Sequence, residues 1–93
     1  MINGYGVLTY NSENHKGDKY EGYYKNWNRE GKGVYYYSNG DVFDGEYKND
    51  KRNGKGIYYY KNGDREMGDY LDDNKKGIHV MLSYKGKISN KKY

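Results

Sequence analysis

Short aromatic and β-branched runs alternate with glycine-centred polar breaks, and the pattern returns every 23 residues. Val34-Tyr-Tyr-Tyr37 recurs as Ile57-Tyr-Tyr-Tyr60, and Tyr24, Tyr47 and Tyr70 share a column. At the same step Gly22, Gly45 and Gly68 line up, as do Gly31, Gly54 and Gly77, Gly33 and Gly56, and Gly17, Gly40, Gly63 and Gly86. Gly4 and Gly6 join the Gly31 and Gly33 columns if a short insertion precedes Gly17, so all 14 glycines lie on one lattice. Self-similarity of this kind marks a stack of identical supersecondary units.

Each unit reads as two strands. The residues after Gly-x-Gly are β-branched and aromatic, which favours the extended backbone. Asn39-Gly40 and Asn62-Gly63 interrupt two such runs, and Asn-Gly accepts the positive φ of a tight hairpin. No segment holds an apolar period of 3.6 residues, so no long helix is expected. Strands are predicted near residues 5–10, 19–25, 33–38, 41–48, 56–61, 64–71, 78–84 and 87–89, with Lys48 to Asn53 as a polar loop between hairpins. The fold class is all-β: an elongated single-layer antiparallel meander of stacked hairpins with about eight short strands. The array divides into a partial unit 1–17, units 18–40, 41–63 and 64–86, and a tail 87–93, with entry in mid-unit that suits a piece cut from a longer array. Two registers are open. A two-residue turn at Asn39-Gly40 puts Val34 and Tyr36 on the face of Phe43, Gly45 and Tyr47, and a loop one residue longer puts Tyr35 and Tyr37 there.

Composition narrows the picture. The chain has 15 Tyr against one Phe, one Trp and three Met, so its apolar surface is carried on rings that tolerate water at one end. A thin, half-wet structure follows more readily than a thick core, and the regular aromatic spacing argues against a disordered tail despite 32% charged residues. Without cysteine there is neither a disulfide framework nor a thiolate metal site. Without an apolar run of membrane-span length, a cytoplasmic protein is expected, peripheral to membrane or cytoskeleton at most.

The residues resemble the MORN (membrane occupation and recognition nexus) repeat family. Its pattern of Tyr-x-Gly-x-aromatic, Gly-x-Gly and Gly-Asp is met by Tyr20-x-Gly22-x-Tyr24, Gly31-x-Gly33 and Gly40-Asp41. Phe43-x-Gly45-x-Tyr47, Gly54-x-Gly56 and Gly63-Asp64 meet it again. The third unit departs, with Glu66 in the column of Tyr20 and Phe43 and His79 in a glycine column. The resemblance implies a single-layer stack of hairpins with a non-catalytic role: scaffolding, dimerisation, attachment to membranes or cytoskeleton, or targeting of a fused enzyme.

Catalytic chemistry has no foothold. His15 and His79 lie on different units, no serine has a base beside it, and no His/carboxylate cluster has metal spacing, so neither a metal, a cofactor nor a small-molecule substrate is expected. Candidate binding residues are the aromatic columns: Tyr20, Tyr24, Tyr35, Tyr37, Phe43, Tyr47, Tyr58, Tyr60 and Tyr70. They are the core of so thin a chain and, on whichever face stays open, a platform for a protein partner or a second copy. The alternative is a basic rim for anionic phospholipid. Arg29, Arg52 and Lys75 would stack in successive loops roughly 10 Å apart, with Lys32, Lys51 and Lys55 beside them. Charged loops that only keep the sheet soluble would give the same ladder. Asp18, Asp41 and Asp64 would stack on the opposite rim, where they are read as serving turns. Trp27, expected in a loop, is a candidate anchor. Single-stranded nucleic acid is disfavoured by a net charge of only +4 with interspersed acids.

Overall fold

The computed structural model describes residues 3–93. Met1 and Ile2, which open the expected partial unit, lie outside the described residues. Eight strands follow in order: β1 (Asn3–Thr9), β2 (Lys19–Lys25), β3 (Asn28–Tyr36), β4 (Val42–Lys48), β5 (Lys51–Tyr59), β6 (Arg65–Leu71), β7 (Asn74–Leu82) and β8 (Ile88–Lys92). They form one antiparallel sheet in sequence order, β1 to β8, and the body measures 44 × 24 × 21 Å. The expected elongated single-layer meander is what the chain adopts.

Two kinds of connection alternate, and one differs from expectation. Lys48 to Asn53 is no loop: Lys48 pairs directly with Lys51 across the two residues Asn49 and Asp50. Both carry positive φ, at 49° and 70°, and Asn26-Trp27 and Asp72-Asp73 repeat the conformation. That is the geometry of a two-residue hairpin turn, which Asn and Asp adopt at lower cost than other non-glycine residues. Consequently β3, β5 and β7 begin earlier than predicted and include the first glycine of each Gly-x-Gly. Beside each turn the register shifts, between Gly22 and Tyr24 and between Gly45 and Tyr47, and Gly31 and Gly54 sit there at φ 79° and 105°. Such a bulge asks one residue for a conformation in which glycine carries no penalty.

The Asn-Gly turns close differently. The Tyr37 amide donates to the Asp41 carbonyl and the Gly40 amide to the Tyr37 carbonyl, both at 3.0 Å, leaving a three-residue loop at Ser38–Gly40. This selects the longer-loop register: Tyr35 pairs with Phe43 and Gly33 with Gly45. The longer first tip holds, with the Tyr10 amide donating to the Asp18 carbonyl at 3.0 Å.

A single sheet should have no buried residues, yet Tyr20 and Phe43 are fully buried. The glycine columns explain how. Gly22 faces Gly33 and Gly45 faces Gly56, so each pair leaves a bare trough across two strands. A Cβ on Gly45 would stand 2.7 Å from Phe43 Cζ, and one on Gly56 would clash with the Phe43 ring. Each ring therefore lies flat in the trough of its own hairpin and meets the next unit edge-on: Tyr20 against Tyr47 at 5.3 Å, Phe43 against Tyr70 at 5.1 Å. Edge-to-face pairs of this kind add to the area they bury.

Unit three builds the same layer with exchanged parts. His79, in the glycine column, lays its ring over Gly68, where an added Cβ would clash with the imidazole. Glu66, where the ring should originate, withdraws beneath it with its Oε2 2.8 Å from His79 Nδ1. The two departures from the pattern are one compensated change. Tyr93, one period beyond Tyr70, packs on His79 at 4.9 Å as Tyr70 packs on Phe43.

Candidate interaction surface

All nine aromatic candidates stand on one face, but they divide in two. Tyr20, Tyr24, Tyr35, Phe43, Tyr47 and Tyr70 are buried and form the core, so they offer little to a partner. Tyr37, Tyr58 and Tyr60 are half-buried on top of it. Tyr10, not singled out from sequence because the first tip breaks the repeat spacing, joins them by stacking on Tyr35 at 5.7 Å. Tyr37 continues the row between Tyr35 at 4.6 Å and Tyr58 at 5.7 Å.

These rings floor an open groove of about 630 Å³ lined by Tyr10, Tyr35, Tyr37 and Tyr47. One wall is the hairpin tips. There Asp18 accepts from the Tyr35 hydroxyl at 2.7 Å and from the Ser38 amide at 2.7 Å. One period on, Asp41 accepts from the Tyr58 hydroxyl and the Lys61 amide, both at 2.8 Å, and Asp64 accepts from the Tyr84 amide at 2.9 Å. These aspartates do more than serve their own turns: each ties the hairpin tip that it closes to the next tip along the sheet. Burial works against the charge of Asp18 and Asp41, but the bonds from tyrosine hydroxyl and backbone amide outweigh it and hold both carboxyls below the ordinary range. Their 23-residue recurrence was the available signal, hidden because Asp beside Gly already has a local use.

The other wall holds two of the six cations expected on a free rim, Arg29 and Arg52. None of the six lies in a loop: Arg29 and Lys32 are on β3, Lys51, Arg52 and Lys55 on β5, and Lys75 on β7. Arg29 folds over the aromatic layer, 4.9 Å from the Tyr47 centroid and 5.3 Å from that of Tyr35. Its Nε lies 2.7 Å from Asp50 Oδ1, and its Nη2 donates to the Asp50 carbonyl at 2.7 Å. Arg52 repeats this with Asp73 and lies 4.9 Å from the Tyr70 centroid. Lys75 donates to Glu66 Oε1 at 3.0 Å. The ladder is thus consumed, Arg29 and Arg52 between units and Lys75 within its own. The second turn residue of one unit supplies the counter-charge of the unit before, a pairing invisible while both were assigned to loops.

Lys32, Lys51 and Lys55 are exposed and occupy the opposite face. They share it with acids, Lys32 opposite Glu46 and Lys55 opposite Asp69, and with Ile57, Met67 and Val80 in one cross-strand row. Trp27, 61% exposed, sits in the first two-residue turn at φ 68°, where later units carry Asp50 and Asp73. Among the described residues no group of His, Cys, Asp and Glu is arranged to hold a metal ion, and no helix is long and apolar enough to cross a membrane.

The comparison with curated proteins gave no match. The MORN repeat family model matches residues 1–15, 20–42 and 43–65, more than half of the chain. MORN repeats are non-catalytic modules of protein and membrane interaction. With its ring-over-glycine layer repeated at the family's own spacing, this chain belongs to the MORN-repeat family.

Proposed function

We propose that the chain is a non-catalytic interaction module that docks a segment of a protein partner, or of a second copy, in the groove over Tyr10 and Tyr37 and onward across the half-buried rings of Tyr58 and Tyr60. The observation that carries this reading is the two-storey aromatic face. Six rings are spent on the core, while Tyr10, Tyr37, Tyr58 and Tyr60 stand half-buried beside it, Tyr10 and Tyr37 joined through the core ring of Tyr35 and Tyr37 meeting Tyr58 directly. Exposed aromatic surface of this extent is costly unless covered, and Tyr rings lose little entropy on docking. Burial raises the hydroxyls of Tyr10 and Tyr37 further above the neutral range, so both stay protonated and able to donate. Neither hydroxyl is tied into the fold by a hydrogen bond among the described residues. The test is selection of binders from a random peptide library on the intact chain. Tyr10→Ala/Tyr37→Ala, which removes no core ring, should lose the selected peptides while keeping its circular dichroism. Peptides that bind the double variant equally well would end the proposal.

A second reading follows from the opposite face, where Lys32, Lys51 and Lys55 flank Ile57, Met67 and Val80. Lysines beside exposed apolar side chains suit an anionic lipid surface, at about 1 kcal/mol for each cation near it. Vesicles of phosphatidylcholine with phosphatidylserine test it. Binding lost on charge reversal of these three lysines, and kept in Tyr10→Ala/Tyr37→Ala, would move the function to that face. In either case the location proposed is cytoplasmic, at the surface of a larger structure.

A further inference from the structure

Both Gly-x-Gly strands within the sheet are roofed by a ring, Tyr20 over Gly33 and Phe43 over Gly56; in unit three the ring comes from the other strand, His79 over Gly68. The exception is β1. Gly6 belongs to the same column as Gly33 and Gly56, yet a Cβ there would meet only Tyr24 Cε2, at 3.4 Å, and one on Gly4 would meet nothing. A shallow cavity of about 170 Å³ lies in that place, lined by Gly4, Gly6, Leu8, Tyr24 and Trp27. Tyr24 meets Tyr20 of its own unit edge-on at 5.3 Å, but among the described residues it has no ring from a preceding unit such as Tyr20 gives Tyr47 and Phe43 gives Tyr70. It is buried and its hydroxyl has no partner among the described residues. β1 is also an outer strand of the sheet, so one side of its backbone is unpaired among the described residues. A trough, a waiting ring face and an open backbone edge coincide.

We propose that this edge accepts, in trans, an extended protein segment of the form aromatic-x-Gly-x-aromatic. The segment runs antiparallel to β1, with its first ring in the trough over Gly6. The register is given by the interior of the sheet, where Phe43 faces Tyr58 and Gly45 faces Gly56. Leu8 and Gly6 stand in those columns. The incoming glycine is required because the ring lies across both strands, and a Cβ in its place would strike the ring as one on Gly45 would strike Phe43. Backbone pairing supplies affinity, and the ring and glycine supply selection, the usual division in strand addition.

A second copy of this chain is the obvious competitor, and its open strand does not fit. β8 carries Ser89 in the ring column and Lys91 in the glycine column, one period after Glu66 and Gly68. The two ends of the sheet therefore differ: the β1 edge is receptive and the β8 edge is blunted by lysine, a common defence of open strands.

The probe is a synthetic peptide spanning Asp41 to Asp50, which carries Phe43-x-Gly45-x-Tyr47 and no tryptophan. It is titrated into the intact chain while the emission of Trp27, the single tryptophan, is followed. The proposal expects a saturable change. Peptides with Phe43→Ala or Gly45→Val should bind about tenfold or more weakly, as loss of a buried ring implies. Gly6→Val in the protein should abolish binding while leaving the thermal transition in place. No saturable change at millimolar peptide, or equal affinity for the variant peptides, would overturn it. The peptide variants leave the protein untouched, so the answer stands even if Gly6→Val unfolds. Concentration-dependent growth of the chain alone in light scattering, absent in Gly6→Val, would assign the edge to a second copy and overturn it likewise.

Discussion

The exchange of ring and glycine in unit three makes a sharp prediction. His79→Gly alone removes a fully buried ring from over Gly68 and leaves Glu66 facing a void. By the cost of comparable large-to-small changes it should destabilise by about 3 kcal/mol. Glu66→Phe alone drives a second ring into the volume that His79 holds, and overpacking of that kind costs about 1–3 kcal/mol. It also releases the bonds from Tyr60 at 3.1 Å, Lys75 at 3.0 Å and Tyr93 at 2.9 Å. Those donors are partly exposed and can turn to water, so their loss adds only about 1 kcal/mol. The fully buried His79 Nδ1 loses its Glu66 partner as well and adds to the cost. The double variant Glu66→Phe/His79→Gly rebuilds the arrangement of Phe43 and Gly56 and gives Tyr93 the ring contact that Tyr70 has. It should lie within about 2 kcal/mol of the parent, a coupling of about 3 kcal/mol, at the upper end for residues in contact. Urea titrations followed by circular dichroism at a common slope give all four corners of the cycle. Additive losses, with the double variant least stable of all, would refute the compensated exchange and leave Glu66 and His79 as an ordinary buried pair.

Three further outcomes follow. Gly56→Ala drives a methyl against the Phe43 ring and should cost about 1–3 kcal/mol in the same titration, whereas Gly6→Ala, with only Tyr24 at 3.4 Å, should cost little. Asn49→Val forces a β-branched residue to φ 49° and should lower stability by about 1–2 kcal/mol, while Asn49→Gly should be neutral or mildly stabilising. The carboxyls of Asp18, Asp41 and Glu66 all lie below their ordinary values: burial opposes the charge, but hydrogen bonds, with Lys75 the first of them at Glu66, prevail. Depressed carboxylates add stability above their unfolded pKa, about 4, and lose it as pH falls through the folded values. The melting temperature should therefore drop below about pH 4, and less steeply in Asp18→Asn/Asp41→Asn.

Much of this was legible in the residues and some was not. The lattice of glycines and tyrosines reports the repeat, the all-β class and the meander, because period and turn chemistry agree at every unit. Its meaning was less legible. That Gly33 and Gly56 are floors for rings depends on which residues face each other, and the register hung on one residue of loop length at Ser38–Gly40. Asn49-Asp50 reads as loop in the sequence because no glycine marks the turn. With that turn misplaced, Arg29 and Arg52 became free cations on a rim instead of partners of Asp50 and Asp73. Glu66 and His79 were seen singly as departures; only the ring over Gly68 shows them to be one.

The central claim is that the second row of tyrosines, above the core, receives a protein segment. The most direct measurement is a titration of the intact chain with a library-selected peptide, followed by the aromatic side-chain resonances in NMR. The account predicts shifts at Tyr10, Tyr37, Tyr58 and Tyr60, with Tyr36 and Tyr59 on the opposite face unmoved. Shifts confined to Tyr36 and Tyr59, or a selected peptide that leaves all of these rings unmoved, would contradict it.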